Sequence, residues 1–317
     1  MTHQPINAEP GAIEASQTGD WQIRDQEYRD VTMTKRRMAG VAGWLVAVCL
    51  VATSAGAQQR PLLTEDPESI GDGLLLLEAG FDHSWDHPFP VSGLTGSLLR
   101  GPLVGLSFGL GPFAEVQIDG ISTSRLLINE RVVAPLSSLV DVPGDSTRSF
   151  DDIVIGTKVK IVSEVGWRPA MALRFATRLP NASNESGLGL DTFDFYQSLL
   201  VGKTVQSIRV VGNVGFAILA DPTRGDRQND VLTYGFSLAR AFAPGAEVVG
   251  EINGRASTRR GQAPPGTDTK GQMTFGVRYT RNAVRFDAGL FTGLTSRDPK
   301  VGITGGITWV FTSPLRP

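Results

Sequence analysis

Polar and apolar side chains alternate with a period of two in repeated stretches of the chain after residue 57. Val116 and Ile118, for example, alternate with Glu115 and Asp119, which places the two pairs on opposite faces of a β-strand. Twelve such segments follow one another, at about 73–86, 102–110, 113–123, 151–163, 167–178, 191–203, 207–219, 230–242, 246–256, 271–280, 283–293 and 300–311. This part of the sequence contains neither an apolar run of roughly 18 residues nor a 3.6-residue period, so the pattern predicts an all-β protein.

The connections between these segments alternate in length. The longer ones are at 87–101, 124–150, 179–190, 220–229, 257–270 and 294–299, and the shorter ones at 111–112, 164–166, 204–206, 243–245 and 281–282. Outer-membrane barrels have short periplasmic turns and longer external loops, whereas a soluble β-sandwich does not sort its loops in this way. The sequence therefore predicts a transmembrane antiparallel up-and-down β-barrel of about 12 strands, with outer-membrane lipid against its apolar face.

The residues that precede the strands are typical of a secretory signal peptide. A basic cluster at 35–37 is followed by an apolar stretch at 39–52 and by small residues at 55–57, which form a cleavage motif. The apolar stretch is shorter than the roughly 20 residues of a spanning helix, and the alternative, a membrane anchor, lacks a stop-transfer pattern. We therefore predict a signal peptide at 33–57 and export to the bacterial outer membrane.

This assignment divides the rest of the chain into four further parts. Residues 1–32 are polar and lack apolar periodicity, so we predict a disordered, non-native extension, with translation starting at Met33. The mature chain then begins with a periplasmic N-terminal segment at 58–72. The barrel follows at 73–311, and a short C-terminal tail at 312–317 ends the chain.

Composition narrows the classes of function. The 317 residues carry 30 Lys and Arg against 32 Asp and Glu, without the basic excess of a nucleic-acid-binding protein. The single cysteine, Cys49, lies in the predicted leader, which excludes a disulfide framework and a Cys-based zinc site. The loop carboxylates Asp221, Asp226 and Asp230 lack the ligand spacing of a calcium loop. We therefore expect no metal, no cofactor and no nucleic-acid partner.

Charged residues of both signs fall on the polar faces of the predicted strands, which makes them candidates for the lumen lining. They are Glu115, Asp119, Lys158, Lys160, Arg174, Arg178, Arg209, Glu247, Glu251, Arg255, Arg278, Arg285 and Asp287. Two interpretations remain open. The residues line a polar channel that selects solutes, or they form a salt-bridged interior that holds a narrow barrel together without transport. In either case loops or the segment 58–72 would be able to plug the lumen.

The final predicted strand contains a pattern that resembles the terminal signal read by the barrel-assembly machinery of the outer membrane. Thr304 is followed by Gly306 and then by the aromatic residues Trp309 and Phe311. The pattern departs from the usual one because residues 312–317 follow the last aromatic side chain. The alternative is an ordinary final strand with two aromatic residues.

The opening of the predicted mature chain resembles the outer-membrane family labelled "MetA-pathway of phenol degradation". The matching residues are RPLLTEDP at 60–67, then Gly71, Gly73 and EAG at 78–80. The resemblance implies an outer-membrane barrel over most of 60–311 and suggests uptake of hydrophobic or aromatic compounds. It implies no catalytic residues.

These observations favour a non-enzymatic channel for passive uptake of small solutes, with hydrophobic or aromatic compounds as candidates. A structural or surface-adhesion barrel without transport is the alternative. A third hypothesis is a barrel hydrolase that uses His83 or His87 with Ser84. Residues 83 and 84 are adjacent on a strand and point to opposite faces, which argues against a nucleophile and base formed by that pair.

Overall fold

The computed structural model describes residues 60–314, and these form fourteen β-strand segments. They are β1 (Leu74–Phe89), β2 (Leu94–Gly109), β3 (Ala114–Ile121), β4 (Thr123–Arg131), β5 (Ser146–Phe150), β6 (Val154–Val162), β7 (Ala170–Arg178), β8 (Asp194–Val205), β9 (Ile208–Ala220), β10 (Gln228–Ala243), β11 (Ala246–Ser257), β12 (Lys270–Arg281), β13 (Val284–Gly293) and β14 (Val301–Thr312). The predicted extension at 1–32 and the predicted leader at 33–57 lie outside the described residues.

The strands close into a barrel because β1 pairs with both β2 and β14. Two of the barrel strands are each built from two consecutive segments. β3 and β4 pair with successive parts of β2, and β6 and β5 pair with β3 and β4 in turn. Counted in this way, the barrel has 12 antiparallel strands, and the predicted fold class is confirmed.

The two ends of the barrel differ in their connections. At the end that we call the turn end, β8–β9, β10–β11 and β12–β13 are joined by two-residue turns. Asn282 has a φ of 56° and Gly245 a φ of 74°, and Asn and Gly are favoured at such positive-φ turn positions. At the opposite loop end, the connections at 132–145, 179–193, 221–227, 258–269 and 294–300 are longer.

Two of the predicted long loops are wrong in extent. The predicted connection at 87–101 is mostly strand, because β1 continues to Phe89 and β2 starts at Leu94. The predicted connection at 124–150 contains β4 and β5 and leaves a loop only at 132–145. In these parts the inward-facing residues Leu94, Leu98 and Leu126 are apolar and form a buried cluster, so the polar-inward alternation that identifies the other strands is lost.

The outer and inner faces of the barrel have the reverse polarity of a soluble protein. On the outer face, Phe275 is 61% exposed and Phe286 is 52% exposed, whereas the inward-facing Lys158 is 0% exposed. Burying a charge is costly unless it is paired, while an exposed apolar belt is favourable only against lipid or another apolar partner. Across residues 60–314, a helix with the length and apolar character needed to span a membrane is not found.

Candidate functional site

Residues 60–70, which we call the plug segment, lie inside the barrel and cross it from one wall to the other. Arg60 Nη2 donates to Thr304 Oγ1 at 3.0 Å on β14. At the other end of the segment, the Ile70 N–H donates to Glu115 Oε2 at 2.8 Å on β3. The plug segment belongs to the stretch predicted at 58–72, and it occupies the half of the lumen nearer the turn end.

A buried charge cluster attaches the middle of the plug segment to the wall. Lys158 Nζ lies 3.2 Å from Glu65 Oε1 and 3.0 Å from Glu115 Oε1. Glu65 Oε2 is also 2.7 Å from Arg174 Nε, and Gln117 donates a short hydrogen bond to the same carboxylate. Both signs of charge are therefore matched where Glu65 meets the wall, which offsets the cost of removing these charges from water.

Further polar contacts hold the plug segment on both sides of this cluster. Arg209 donates to both carboxylate oxygens of Asp66, from Nε at 2.8 Å and from Nη2 at 2.7 Å, and such two-point contacts are the strong ones. The Thr64 N–H donates to Glu251 Oε2 at 2.7 Å. Lys160 Nζ pairs with Glu68 at 3.1 Å.

Glycines on the inner face of the barrel make room for the plug segment. A Cβ added at Gly202 would lie 2.8 Å from Pro67 Cγ, and a Cβ at Gly306 would lie 2.5 Å from Arg60 Nε. Such distances are shorter than real Cβ contacts. Glycine in these strands therefore permits close approach of another chain segment, which is one of its usual roles within a sheet.

The loop end of the lumen is partly closed by loops that pack on one another. Ser92 Oγ donates to the Gly187 carbonyl at 2.7 Å, and the Leu136 N–H donates to the Val91 carbonyl at 2.9 Å. Leu94 and Leu98 form a buried apolar cluster beneath them. These contacts bring the β1–β2 turn together with the loops at 132–145 and 179–193.

Three adjoining cavities lie between these loops and the plug segment. The cavity nearest the loops, which we call the loop-end chamber, has a volume of about 300 Å³. The two deeper cavities have volumes of about 410 and 450 Å³, and Tyr196 lines all three. The chamber is lined by side chains that include Phe89, Leu188 and Arg255.

The structure divides the predicted lumen residues into groups by the contacts that they make. Those in contact with the plug segment are Glu115, Lys158, Lys160, Arg174, Arg209, Glu251, Arg278 and Asp287. Asp119 Oδ2 lies 3.6 Å from Arg174. Arg178 and Arg255 line the loop-end chamber. Arg285 is buried and donates to Thr280 Oγ1, and Glu247 faces Arg278 across β11 and β12.

Several residues that shape the lumen were not identified from the sequence. Lys270 lies one residue outside the predicted segment 271–280, and Arg100 lies in a region predicted as a loop. Glu65 and Asp66 belong to a stretch in which polar and apolar residues do not alternate. The sequence therefore contains no periodic pattern that would place this stretch inside the barrel. Glu78 and Asp82 also line the lumen and were not predicted to do so. Their alternation with apolar neighbours on the first strand is the signal that could have identified them.

The Ser and His residues considered for hydrolysis form one contact. Ser84 Oγ and His87 Nδ1 are 3.0 Å apart, because an irregularity in the β1–β2 pairing between these residues brings them to the same side. His83 instead makes an edge contact with Trp85. Within residues 60–314, no carboxylate is hydrogen-bonded to His87. Among these residues the Ser84–His87 contact therefore lacks the third group that orients a catalytic base.

The loop carboxylates are also used within the protein. Asp221 accepts hydrogen bonds from Thr223 Oγ1 at 2.6 Å and from Arg227 Nη2 at 2.5 Å. Burial acts to raise the pKa of Asp221, but these hydrogen bonds hold it below its usual value. In the part of the chain that the structure describes, His, Cys, Asp and Glu side chains do not form a group suited to a metal ion.

The residues of the predicted assembly signal lie on β14, with two of them on each face. Thr304 and Gly306 face inward against Arg60. Trp309 is 47% exposed on the outer face, and its ring centroid is 4.6 Å from that of Phe311. This strand completes the barrel by pairing with β1.

One of the comparisons with known proteins, with a solved structure, supports the fold. No protein-family model and no curated protein matches the sequence. A solved outer membrane channel from Pseudomonas putida F1 is 12% identical, with a TM-score of 0.54, over 78% of this chain and 98% of that one. A NanC porin is 9% identical, with a TM-score of 0.46, over 75% of this chain and 98% of the porin chain. The translocator domain of the autotransporter NalP from Neisseria meningitidis is 13% identical, with a TM-score of 0.43, over 90% of this chain and 98% of that domain. The likeness to the Pseudomonas channel shows that this chain has the fold of an outer-membrane β-barrel.

Proposed function

We propose that this chain is a channel of the bacterial outer membrane that admits small solutes by diffusion. The observation that carries the proposal is the series of adjoining cavities that extends from the loops to the plug segment inside a closed, charged barrel. A polar interior inside an apolar exterior is the arrangement of water-filled outer-membrane channels. The fold shared with an outer membrane channel supports the same proposal.

Passage requires the plug segment to move, and the way it is attached makes this feasible. Residues 60–70 contact the wall through side chains rather than through a continuous strand ladder. The segment can therefore shift without breaking the pairing that closes the barrel. Hydrophobic or aromatic solutes are the candidates, because the family resemblance suggests them and because apolar side chains such as Phe89 and Leu188 line the loop-end chamber.

Single-channel recording in planar bilayers tests this function. We expect the purified, folded protein to produce discrete conductance steps, and we expect Asp66→Asn, which removes one charge of the Asp66–Arg209 pair, to increase the fraction of time spent open. Heat-unfolded protein is the control. If neither the native protein nor the variant conducts, the barrel has no transport role.

A structural barrel without transport is the second candidate, and the buried ion pairs around Lys158 favour it. The conductance experiment separates it from the channel. Within residues 60–314, a hydrolase is supported by the contact between Ser84 and His87. Esterase activity that falls in His87→Ala and His83→Ala would be required to sustain that third candidate.

The proposal also implies two partners besides the solute. The apolar outer face, with side chains such as Phe275 and Phe286, would contact outer-membrane lipid. The barrel-assembly machinery would read β14 through Trp309 and Phe311. Replacing both aromatic residues with Ala would then reduce the amount of assembled barrel in the outer membrane, as measured by heat-dependent gel mobility.

A further inference from the structure

The charge of the loop-end chamber is of one sign. Arg100, Arg178, Arg255 and Lys270 line it, and among the described residues its lining includes neither Asp nor Glu. The adjoining deeper cavity differs, because Glu65, Glu78, Asp82 and Asp119 all line it. Arg255 and Lys270 also line the other deeper cavity, but there Glu65 accompanies them, so of the three cavities the chamber is the one lined by cations without a carboxylate.

Two of the four cations are neutralised by carboxylates just outside the chamber. Arg100 Nη2 lies 2.8 Å from Asp82 Oδ2. Arg178 Nη2 lies 2.5 Å from Asp194 Oδ2. These arginines still present part of their surface to the chamber, but their charge is already matched.

The other two cations, Arg255 and Lys270, form no ion pair within residues 60–314. Arg255 donates from Nε to the Asp268 carbonyl at 3.0 Å and from Nη2 to the Gly266 carbonyl at 2.6 Å, so neutral backbone oxygens hold its guanidinium in place. Asp298, on the neighbouring β13–β14 loop, accepts from the Gly271 N–H at 3.0 Å. Asp298 and Asp268 are near enough to act electrostatically on Lys270, but among the described residues neither carboxylate lies within ion-pair distance of it.

Arg255 and Lys270 are also direct cross-strand partners on β11 and β12. Like charges at such positions lie close together and destabilise a sheet. A local arrangement that opposes stability, in which neither cation has a carboxylate within ion-pair distance among residues 60–314, is typical of a functional site. An anion placed between the two side chains would satisfy both charges.

Part of the lining of the chamber is apolar. Phe89, Val91, Leu136, Leu188 and Leu190 belong to its lining. A cavity of about 300 Å³ is at the lower end of the size range of small-molecule sites. The chamber therefore offers two cations without an ion-pair partner among residues 60–314, together with an apolar surface.

We propose that the loop-end chamber binds a small organic anion, with its carboxylate between Arg255 and Lys270 and its apolar body against the surface containing Phe89 and Leu188. This site deepens the proposed function and rests on it, since the chamber is the first cavity that a solute would meet below the loops. A monocarboxylate with an aromatic or branched body fits this description. An inorganic anion would leave the apolar surface without a partner.

Calorimetric titration of the purified, folded barrel in detergent tests this site, with benzoate as the probe. Benzyl alcohol has the same ring without the charge, and we expect it to bind at least about tenfold more weakly, because a hydrogen bond to a charged group contributes on that scale. Lys270→Met is expected to weaken benzoate binding by about tenfold or more. Lys300→Met, which changes an exposed lysine paired with Asp86 at the loop end, is the matched control and is expected to bind benzoate as the native protein does.

Arg255→Met provides a second variant, but it also removes the contacts of Arg255 with the 258–269 loop, so its fold is checked by heat-dependent gel mobility. Lys270 makes no such contact, and its variant is decisive if Arg255→Met does not fold. Equal binding of benzoate and benzyl alcohol would overturn the proposal, as would displacement of benzoate by sulfate at equal concentration or unchanged affinity in Lys270→Met.

The same protein preparation separates this site from the proposed function. A barrel that conducts ions in planar bilayers but does not bind benzoate overturns the anion site and leaves the channel. A barrel that binds benzoate through Lys270 but never conducts overturns the channel and, with it, the assignment of the site to a solute path.

Discussion

In the turn-end half of the lumen, Lys158 forms ion pairs with two carboxylates. At the loop end Lys270 lies opposite Arg255, and among residues 60–314 no carboxylate lies within ion-pair distance of it. Both lysines face inward from barrel strands. They differ in what the tertiary structure brings to them, because the plug segment supplies Glu65 to Lys158 and supplies nothing to Lys270. Matched charge holds the barrel and the plug segment together, while unmatched charge is available for a ligand.

The largest expected effect follows from breaking the matched half. Lys158→Met would leave Glu115 buried without the cation that pairs with it and Glu65 with Arg174 alone, and removing one partner from such a cluster costs about 3–5 kcal/mol. We expect the urea midpoint of unfolding in detergent to fall accordingly, with little change in the dependence of the unfolding free energy on urea concentration. Lys300→Met, at an exposed pair with Asp86, should lower stability by less than about 1 kcal/mol. Similar losses in both variants would contradict the contrast.

A smaller effect is expected at the edge of the matched half. Arg209→Ala removes the two-point contact with Asp66, and a hydrogen-bonded contact with a charged group contributes about 1.5–3 kcal/mol. Because these contacts join the plug segment to the wall, release of the segment is expected before unfolding of the barrel. A cysteine that replaces Ser69 should then react faster with a water-soluble thiol reagent when Arg209 is also replaced by Ala than when Arg209 is retained. An unchanged rate would show that Arg209 does not hold the segment.

The unmatched half predicts a change of the opposite sign. Lys270→Met removes a repulsion across β11 and β12, and cross-strand pairs contribute about 0.2–1 kcal/mol. We expect unfolding midpoints equal to or slightly above those of the native protein when no ligand is present. A clear loss of stability would mean that Lys270 has a structural partner and would weaken its assignment to a ligand.

The smallest effect concerns pH at the turn end. Burial acts to raise the pKa of Glu164, but hydrogen bonds from Lys203 and the Thr204 N–H, with the nearby charge of Arg209, lower it overall below its usual 4.5. A lowered pKa in the folded state contributes stability above pH 4.5, and this contribution disappears as pH falls through the folded-state value. Glu164→Gln should therefore be less stable than the native protein at pH 7, by less than about 1 kcal/mol, and the difference should shrink in acid. A constant difference across this range would exclude the titration of Glu164 as its cause.

The wall of the barrel was largely predictable from the sequence, but its contents were not. Alternation in β6 and β7 places Lys158 and Arg174 on one face, because side chains on a strand have a period of two whatever the rest of the fold does. The prediction was poorest in the β1–β2 turn region and the β4–β5 hairpin, where the inward-facing side chains are apolar and pack on one another and the loops rather than forming a charged lining. The partners of the inward charges depend on contacts such as that between Asp66 and Arg209, which are 143 residues apart in the chain.

By itself, the sequence determined that this chain forms a ring of about 12 amphipathic strands with an apolar outside and a charged inside, since those properties depend on local periodicity. Only the tertiary structure decided that residues 60–70 enter the ring and neutralise one half of it. It also decided that Arg255 and Lys270 meet across two strands beneath the loops. A periodic pattern states which way each side chain points, whereas closure of the barrel and the path of a non-periodic segment decide what each side chain meets there.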